Sequence, residues 1–190
     1  MAAPGSKKEE TRERIVRSAA ALFDKNGFNA TGVDAVVAAA GVAKMTLYQH
    51  FPSKDQLVLA AVRHLAEQQE AWIRGMAART AVQRNLRPLE PFRDLETWVK
   101  AGTYAGSAVL KAAAEFPSPQ HPIHAELGVL RQRLTVALAD LLGECGYPDS
   151  VTKARRLKIV LDGAMAGAQG PDAVASLRDA NALATMVIQR

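Results

Sequence analysis

The chain has 190 residues, 48% of them hydrophobic and only 5% aromatic, which is enough for one sizeable helical core or a small head joined to a larger body. That balance excludes a chain too polar to fold and assigns much of the packing to small alanine side chains. The formal charge of +5, from 24 Lys and Arg against 19 Asp and Glu, permits an anionic partner without locating it.

The single cysteine, Cys145, excludes an intrachain disulfide framework, suits a reducing compartment and reads as a small buried hydrophobe. Met1 to Glu10 is charged and has no signal-peptide core behind it. No stretch approaches the roughly 18 uncharged apolar residues of a membrane span, so a cytoplasmic protein without membrane contact is expected.

Roughly Met1 to Gly5 reads as a flexible start that leads into a capping box at Ser6-Lys7-Lys8-Glu9. Ile15, Ala19, Leu22 and Phe23 then share one apolar helix face that ends at Gly27. A second box, Thr31-Gly32-Val33-Asp34, opens a short helix with Val33, Val36, Val37 and Ala40 inward and a stop at Gly41. The next helix is also short, turns Leu47 and Phe51 inward and ends at Pro52. A third box, Ser53-Lys54-Asp55-Gln56, starts a longer helix through Leu57, Val58, Ala61, Val62 and Leu65.

Between Trp72 and Pro91, Gly75 is expected to interrupt a helix and Arg87-Pro88-Leu89-Glu90-Pro91 to form a connection. Phe92, Leu95, Val99 and Tyr104 are placed around an interior space, with Gly102 and Gly106 weakening helical continuity. Phe116-Pro117-Ser118-Pro119 reads as a loop, and Pro122 suits a first helical turn. Leu127, Leu130, Leu134, Leu138, Leu141 and Leu142 give the next helix a broad apolar face up to Cys145. Two more helices follow, over roughly residues 150–168 and from near Pro171 onward. Their apolar stripes fit a bundle shared by two chains, and an intrachain core explains them almost as well.

The segment Thr31 to Lys54 carries the most chemistry. Two short helices about Gly41-Val42-Ala43 have the spacing of a helix-turn-helix, whose second helix can enter the DNA major groove, although an ordinary helical hairpin has the same spacing. Lys44, Met45, Thr46, Tyr48, Gln49 and His50 bring charge, hydrogen-bonding groups and an apolar contact to one short element. Gln49 suits adenine, Met45 a thymine methyl, and Thr46 a base or a phosphate. Lys44, Tyr48, His50 and Lys54 suit phosphates, which position a protein without reading sequence. Lys7, Lys8, Arg12 and Arg14 could reach an adjacent groove or form a solvated helix start among Glu9, Glu10 and Glu13.

The run FDKNGFNATGVDAVVAAAGVAKMTLYQHFPSKDQL, with Ala40-Gly41-Val42, Thr46-Leu47-Tyr48, His50-Phe51 and Ser53-Lys54, resembles the TetR/AcrR family over about residues 12–60. The resemblance implies an all-α fold: a three-helix DNA-binding head, a helical ligand-binding body and a homodimer formed largely through C-terminal helices. It also implies that Thr46, Tyr48 and His50 lie at the DNA surface and that Lys54 contacts phosphate. Three positions depart from the family pattern: Ala43 where serine is common, Met45 where a small residue or proline is common, and Val37 where alanine is common. A similar resemblance to a subgroup runs through Ala112-Ala113-Ala114-Glu115-Phe116-Pro117, His121-Pro122 and Leu161-Asp162-Gly163-Ala164.

The expected organisation is therefore a tail over 1–10, a helix-turn-helix domain over 11–54 and a ligand-binding and dimerisation domain over 55–190. Phe92, Trp98, Tyr104 and Phe116 are candidate pocket residues for a small apolar or amphipathic effector, and filling of the body core is their simpler role. His121 and His124 share the spacing of a metal pair, but no cysteine completes a set, so capping or solvent exposure is expected and no metal or cofactor. There is no phosphate loop, nucleophile elbow or HExxH motif, and no enzyme is expected. The reading is a dimeric, sequence-specific repressor of a palindromic operator on double-stranded DNA, released by an effector. A nonspecific architectural DNA binder, and a helical enzyme or protein-interaction module, are the alternatives.

Overall fold

The computed structural model describes residues 7–189, and among them the regular elements are α-helices and short 3-10 turns. Nine helices follow in order among these residues: α1 (Lys7–Asn26), α2 (Val33–Ala40), α3 (Lys44–His50), α4 (Lys54–Gly75), α5 (Glu90–Lys100), α6 (Ala108–Glu115), α7 (Pro122–Glu144), α8 (Ser150–Gly167) and α9 (Ala173–Gln189). The cap expected at Ser6 lies outside the described residues. Lys7–Glu10, counted in the tail over 1–10, already belong to α1 because lysine and glutamate are good helix formers.

In the N-terminal part, Ile15, Ala19 and Phe23 of α1 join Val36 of α2, Leu47 of α3 and Leu57 of α4 in one buried core. Ser53 opens α4 as expected, its hydroxyl accepting from the Gln56 amide at 3.2 Å. The box at Thr31 does not form. Gly32 is the N-cap of α2 and no side chain caps it, while the buried Thr31 hydroxyl donates to the Gly27 carbonyl at 2.7 Å. Burial explains the difference: a hydroxyl withdrawn from water takes the nearest carbonyl and stitches the α1–α2 turn instead.

Helix α4 packs on both α1 and α7, so one rod joins head and body. It ends at Gly75, and 3-10 turns over Met76–Ala78 and Arg84–Leu89 replace the open connection read from Arg87–Pro91. Pro91 sits in the first turn of α5, where its missing amide hydrogen costs nothing. An ion network holds this corner. Arg79 bonds Asp94 at 2.9 and 2.5 Å and the buried Glu90 at 3.1 Å, while the Trp72 indole donates to Asp94 at 2.7 Å.

Helices α7, α8 and α9 pack in sequence, and α5 lies against α9. Leu157 and Leu161 are wholly buried within the chain, so this stripe of α8 belongs to the intrachain core and not to a surface shared by two chains. The large apolar residues left outside on these helices are Val129 and Val136 on α7, Val151 and Ile159 on α8, and Leu183 and Met186 on α9. Buried Lys153 donates to the Ile188 carbonyl at 2.8 Å, which places a cation at the negative end of α9.

Candidate nucleic-acid interface and the cavity behind it

Gly41 makes the turn between α2 and α3. At φ +60° it occupies the left-handed region, its amide donates to Ala38 and the Val42 amide to Val37, closing the C-terminus of α2. Leu47 then fixes the roll of α3, since its fully buried side chain turns the opposite face outward. Phe51, also buried, anchors the far end, with the Arg12 guanidinium over its ring at 5.3 Å from the centroid. Arg14 donates to the Ala40 carbonyl at 3.0 Å. These two arginines of α1 thus brace the helix pair.

The outward face of α3 contains Lys44, Met45, Tyr48 and Gln49. Met45 is 71% exposed and Tyr48 39%, and spacings of three and four residues place the group on one side. Thr46 and His50 are half-buried and flank that face. Ala43 is the N-cap of α3 and supplies no side-chain hydrogen bond, the consequence expected where serine is missing. Lys44 pairs with Asp34 at 2.7 Å, and this hydrogen bond raises its pKa above the ordinary lysine value. It remains a full cation that must exchange one anion for another to meet phosphate. The Lys54 ammonium donates to the Asn29 carbonyl at 3.1 Å, which orients it beside the same helix pair.

Helix α6 ties this head to the body. The Glu115 carboxylate accepts from the Phe28 amide at 2.9 Å and the Asn29 amide at 2.6 Å, and Lys111 bonds the Asp24 carboxylate at 3.0 Å. Phe116 adds an edge contact to Phe28, with ring centroids 6.2 Å apart. His121 caps α7 by accepting from the Ile123 amide, and His124 lies 3.0 Å from the Phe116 carbonyl. Neither Glu115 nor Lys111 was identifiable from sequence as a head contact, because each lies more than eighty residues from its partner.

Behind the head is a cavity of about 230 Å³ whose lining includes Trp98 and Tyr104 together with Trp72. The two indoles pack at 5.1 Å between centroids, and the Tyr104 hydroxyl donates to the Met165 carbonyl at 2.9 Å. Burial, and secondarily the charge of Asp24, pushes the Tyr104 hydroxyl well above its ordinary pKa, so it stays protonated. The structure does not bring Phe92 or Phe116 to this cavity. Phe92 is buried in the core of the body, and Phe116 fills the junction between head and body. Trp72 is the aromatic that sequence reasoning passed over, since it falls where helix boundaries were hardest to assign.

Taken together, a three-helix head, an exposed second helix of a helix-turn-helix and a helical body define an all-helical DNA-binding regulator. The model for bacterial regulatory proteins of the tetR family matches residues 15–61. Over 81% of each chain, the sequence is 23% identical to the HTH-type transcriptional regulator YjdC of Escherichia coli. It is 28% identical to the HTH-type transcriptional activator FasR of Mycolicibacterium smegmatis over 84% of this chain and 69% of that one. The crystal structure of SCO4454, a TetR-family transcriptional regulator from Streptomyces coelicolor, aligns over 95% of both chains with TM-score 0.79 and 28% identity. Reduced Escherichia coli NemR shares the fold at TM-score 0.82 and 19% identity, over 94% of this chain and 97% of that one. Residues 15–61 match the tetR-family model and the whole chain shares the fold of TetR-family regulators, and the chain is a DNA-binding transcriptional regulator.

Proposed function

We propose that the chain is a homodimeric, cytoplasmic repressor that reads a palindromic operator and is released by a small apolar or amphipathic effector. The head spans residues 11–54, continuous with the first turns of α1, and the body spans 55–190. Helix α3 is the reading element: Met45, Thr46 and Gln49 face base edges, while Lys44, Tyr48, His50 and Lys54 face phosphates. The single observation that carries this reading is the α3 face itself, which exposes Met45 at 71% on a helix whose opposite side is locked by Leu47. A methionine that exposed stabilises no core and suits a surface that is covered on binding.

The dimer is placed on α8 and α9, where Ile159, Leu183 and Met186 are at least half-exposed. Release by effector is supported by the cavity, because Asp24 of the head helix α1 is part of its lining. A ligand there that distinguishes two head orientations changes DNA affinity by its difference in affinity for them. No catalytic role is assigned.

The test is selection of bound duplexes from a random library by the purified chain near physiological salt, with sedimentation on the same sample. An enriched inverted repeat bound by a dimer supports the reading. Broad recovery without a motif supports an architectural binder, and recovery no better than a protein-free control removes DNA as the partner.

A further inference from the structure

The cavity has a charge pattern that narrows what can occupy it. Its lining includes the indoles of Trp72 and Trp98, the Tyr104 ring and the Gln68 and Gln69 amides, and Asp24 is the one charged side chain in it. No lysine, arginine or histidine is among the lining residues. Lys111, outside the lining, bonds Asp24 Oδ1 at 3.0 Å and the Asp24 carbonyl oxygen at 2.5 Å. Asp94, behind Trp72, is already neutralised by Arg79. The lining offers an anionic ligand no cationic side chain of its own, whereas indole faces attract cations. A carboxylate has two oxygens and about four acceptor sites, which one lysine does not saturate.

We infer that the effector is a compact planar aromatic cation, stacked on the Trp72–Trp98 pair with its charged group on the Asp24 carboxylate. This rests on the reading of the cavity as the effector site and adds the chemical class. The volume of about 230 Å³ is below the roughly 300–1,000 Å³ of drug-sized pockets, which limits the ligand to about one ring and a short charged group. An amidinium, guanidinium or protonated amine fits. The planar amidinium and guanidinium match a carboxylate with two parallel hydrogen bonds.

The position of Asp24 gives such a ligand a direct effect. Ser107 and Ala108 at the start of α6 line the cavity, and Lys111 and Glu115 further along the same helix hold α1 and the turn after it. A cation on Asp24 competes with the Lys111 ammonium for one carboxylate. The contact that ties α6 to the head is then weakened by the ligand's own charge.

The experiment uses three near-isosteric probes: benzamidinium, neutral benzamide and anionic benzoate. The chain has two tryptophans and both line the cavity, so their indole N–H signals in ¹H–¹⁵N spectra report this site. Benzamidinium is expected to shift both signals and to bind at least about tenfold tighter than benzamide, with benzoate weaker still. Asp24→Asn should reduce the preference for benzamidinium over benzamide to below about threefold. Equal binding of the three probes by the unaltered chain overturns the cationic class and leaves an effector cavity. An Asp24→Asn chain that keeps the full preference overturns the role of Asp24. No shift with any probe at millimolar concentration overturns the inference and also removes this cavity from the effector reading. The comparison of the three probes on the unaltered chain decides the matter even where Asp24→Asn folds poorly.

Discussion

Replacing Glu115 by alanine removes the carboxylate that receives two amides of the head, Phe28 at 2.9 Å and Asn29 at 2.6 Å. A hydrogen bond to a charged group contributes about 1.5–3 kcal/mol where the donor is withdrawn from water. The Phe28 bond is part-buried and counts in that range, whereas the exposed Asn29 amide can turn to water and adds little. The sum is a loss of about 2 kcal/mol, and at about 2–4 °C per kcal/mol for a chain of this size the melting temperature falls by about 4–8 °C. Glu115→Gln keeps an acceptor oxygen without the charge, and since charge-assisted bonds are about twice as strong as neutral ones, it should lose about half as much. Thermal melts of both variants by circular dichroism check the order. Melting within about 1 °C of the unaltered chain for both would refute the clamp as a stabilising contact.

Leu161→Ala should destabilise the single chain by about 2–5 kcal/mol, because the residue is wholly buried, as urea unfolding would show. Ile159→Asp alters a residue 73% exposed; it should leave the fold intact yet shift sedimentation from dimer to monomer. Lys54→Ala should weaken binding to target and scrambled duplexes alike and lower the salt slope by about two, one phosphate contact per protomer, read from affinities at several salt concentrations. Arg63 forms a two-pronged ion pair with Glu126 at 2.7 and 2.9 Å, and its hydrogen bonds hold the Glu126 pKa below the ordinary 4.5. The pair's contribution is therefore complete above that value and is lost as pH falls through the lowered one. Glu126→Gln should flatten this acid limb in melts taken below pH 4.5.

The head was legible because its signals are local. Gly41, Leu47, Phe51 and the Ser53 cap each act within a few residues of themselves, and hydrophobic period plus turn chemistry gives the helix pair directly. Thr31 shows the limit of that reasoning, since the pattern fits a capping box but burial redirects the hydroxyl to Gly27. The body was less legible. The apolar stripes of α8 and α9 satisfy an intrachain core and a second chain equally well, and only the fold separates buried Leu161 from exposed Ile159. For the cavity, Trp98 and Tyr104 carried a usable signal in their size and polar tips. Trp72 needed the Asp94 contact to place it, and Asp24 needed α1 to be packed against α6, neither of which a linear pattern encodes.

The central claim is that the exposed face of α3 reads bases. The most direct measurement is the affinity of the full chain for its selected duplex and for a scrambled one, at fixed salt, with Gln49→Ala compared with the unaltered chain. A bidentate base contact contributes about 1–3 kcal/mol of discrimination. The contact is lost from both half-sites of the dimer, so the preference for the selected duplex should fall by at least about 30-fold while binding to the scrambled duplex stays nearly unchanged. An equal fall on both duplexes, or no fall on either, would contradict the assignment of base reading to Gln49.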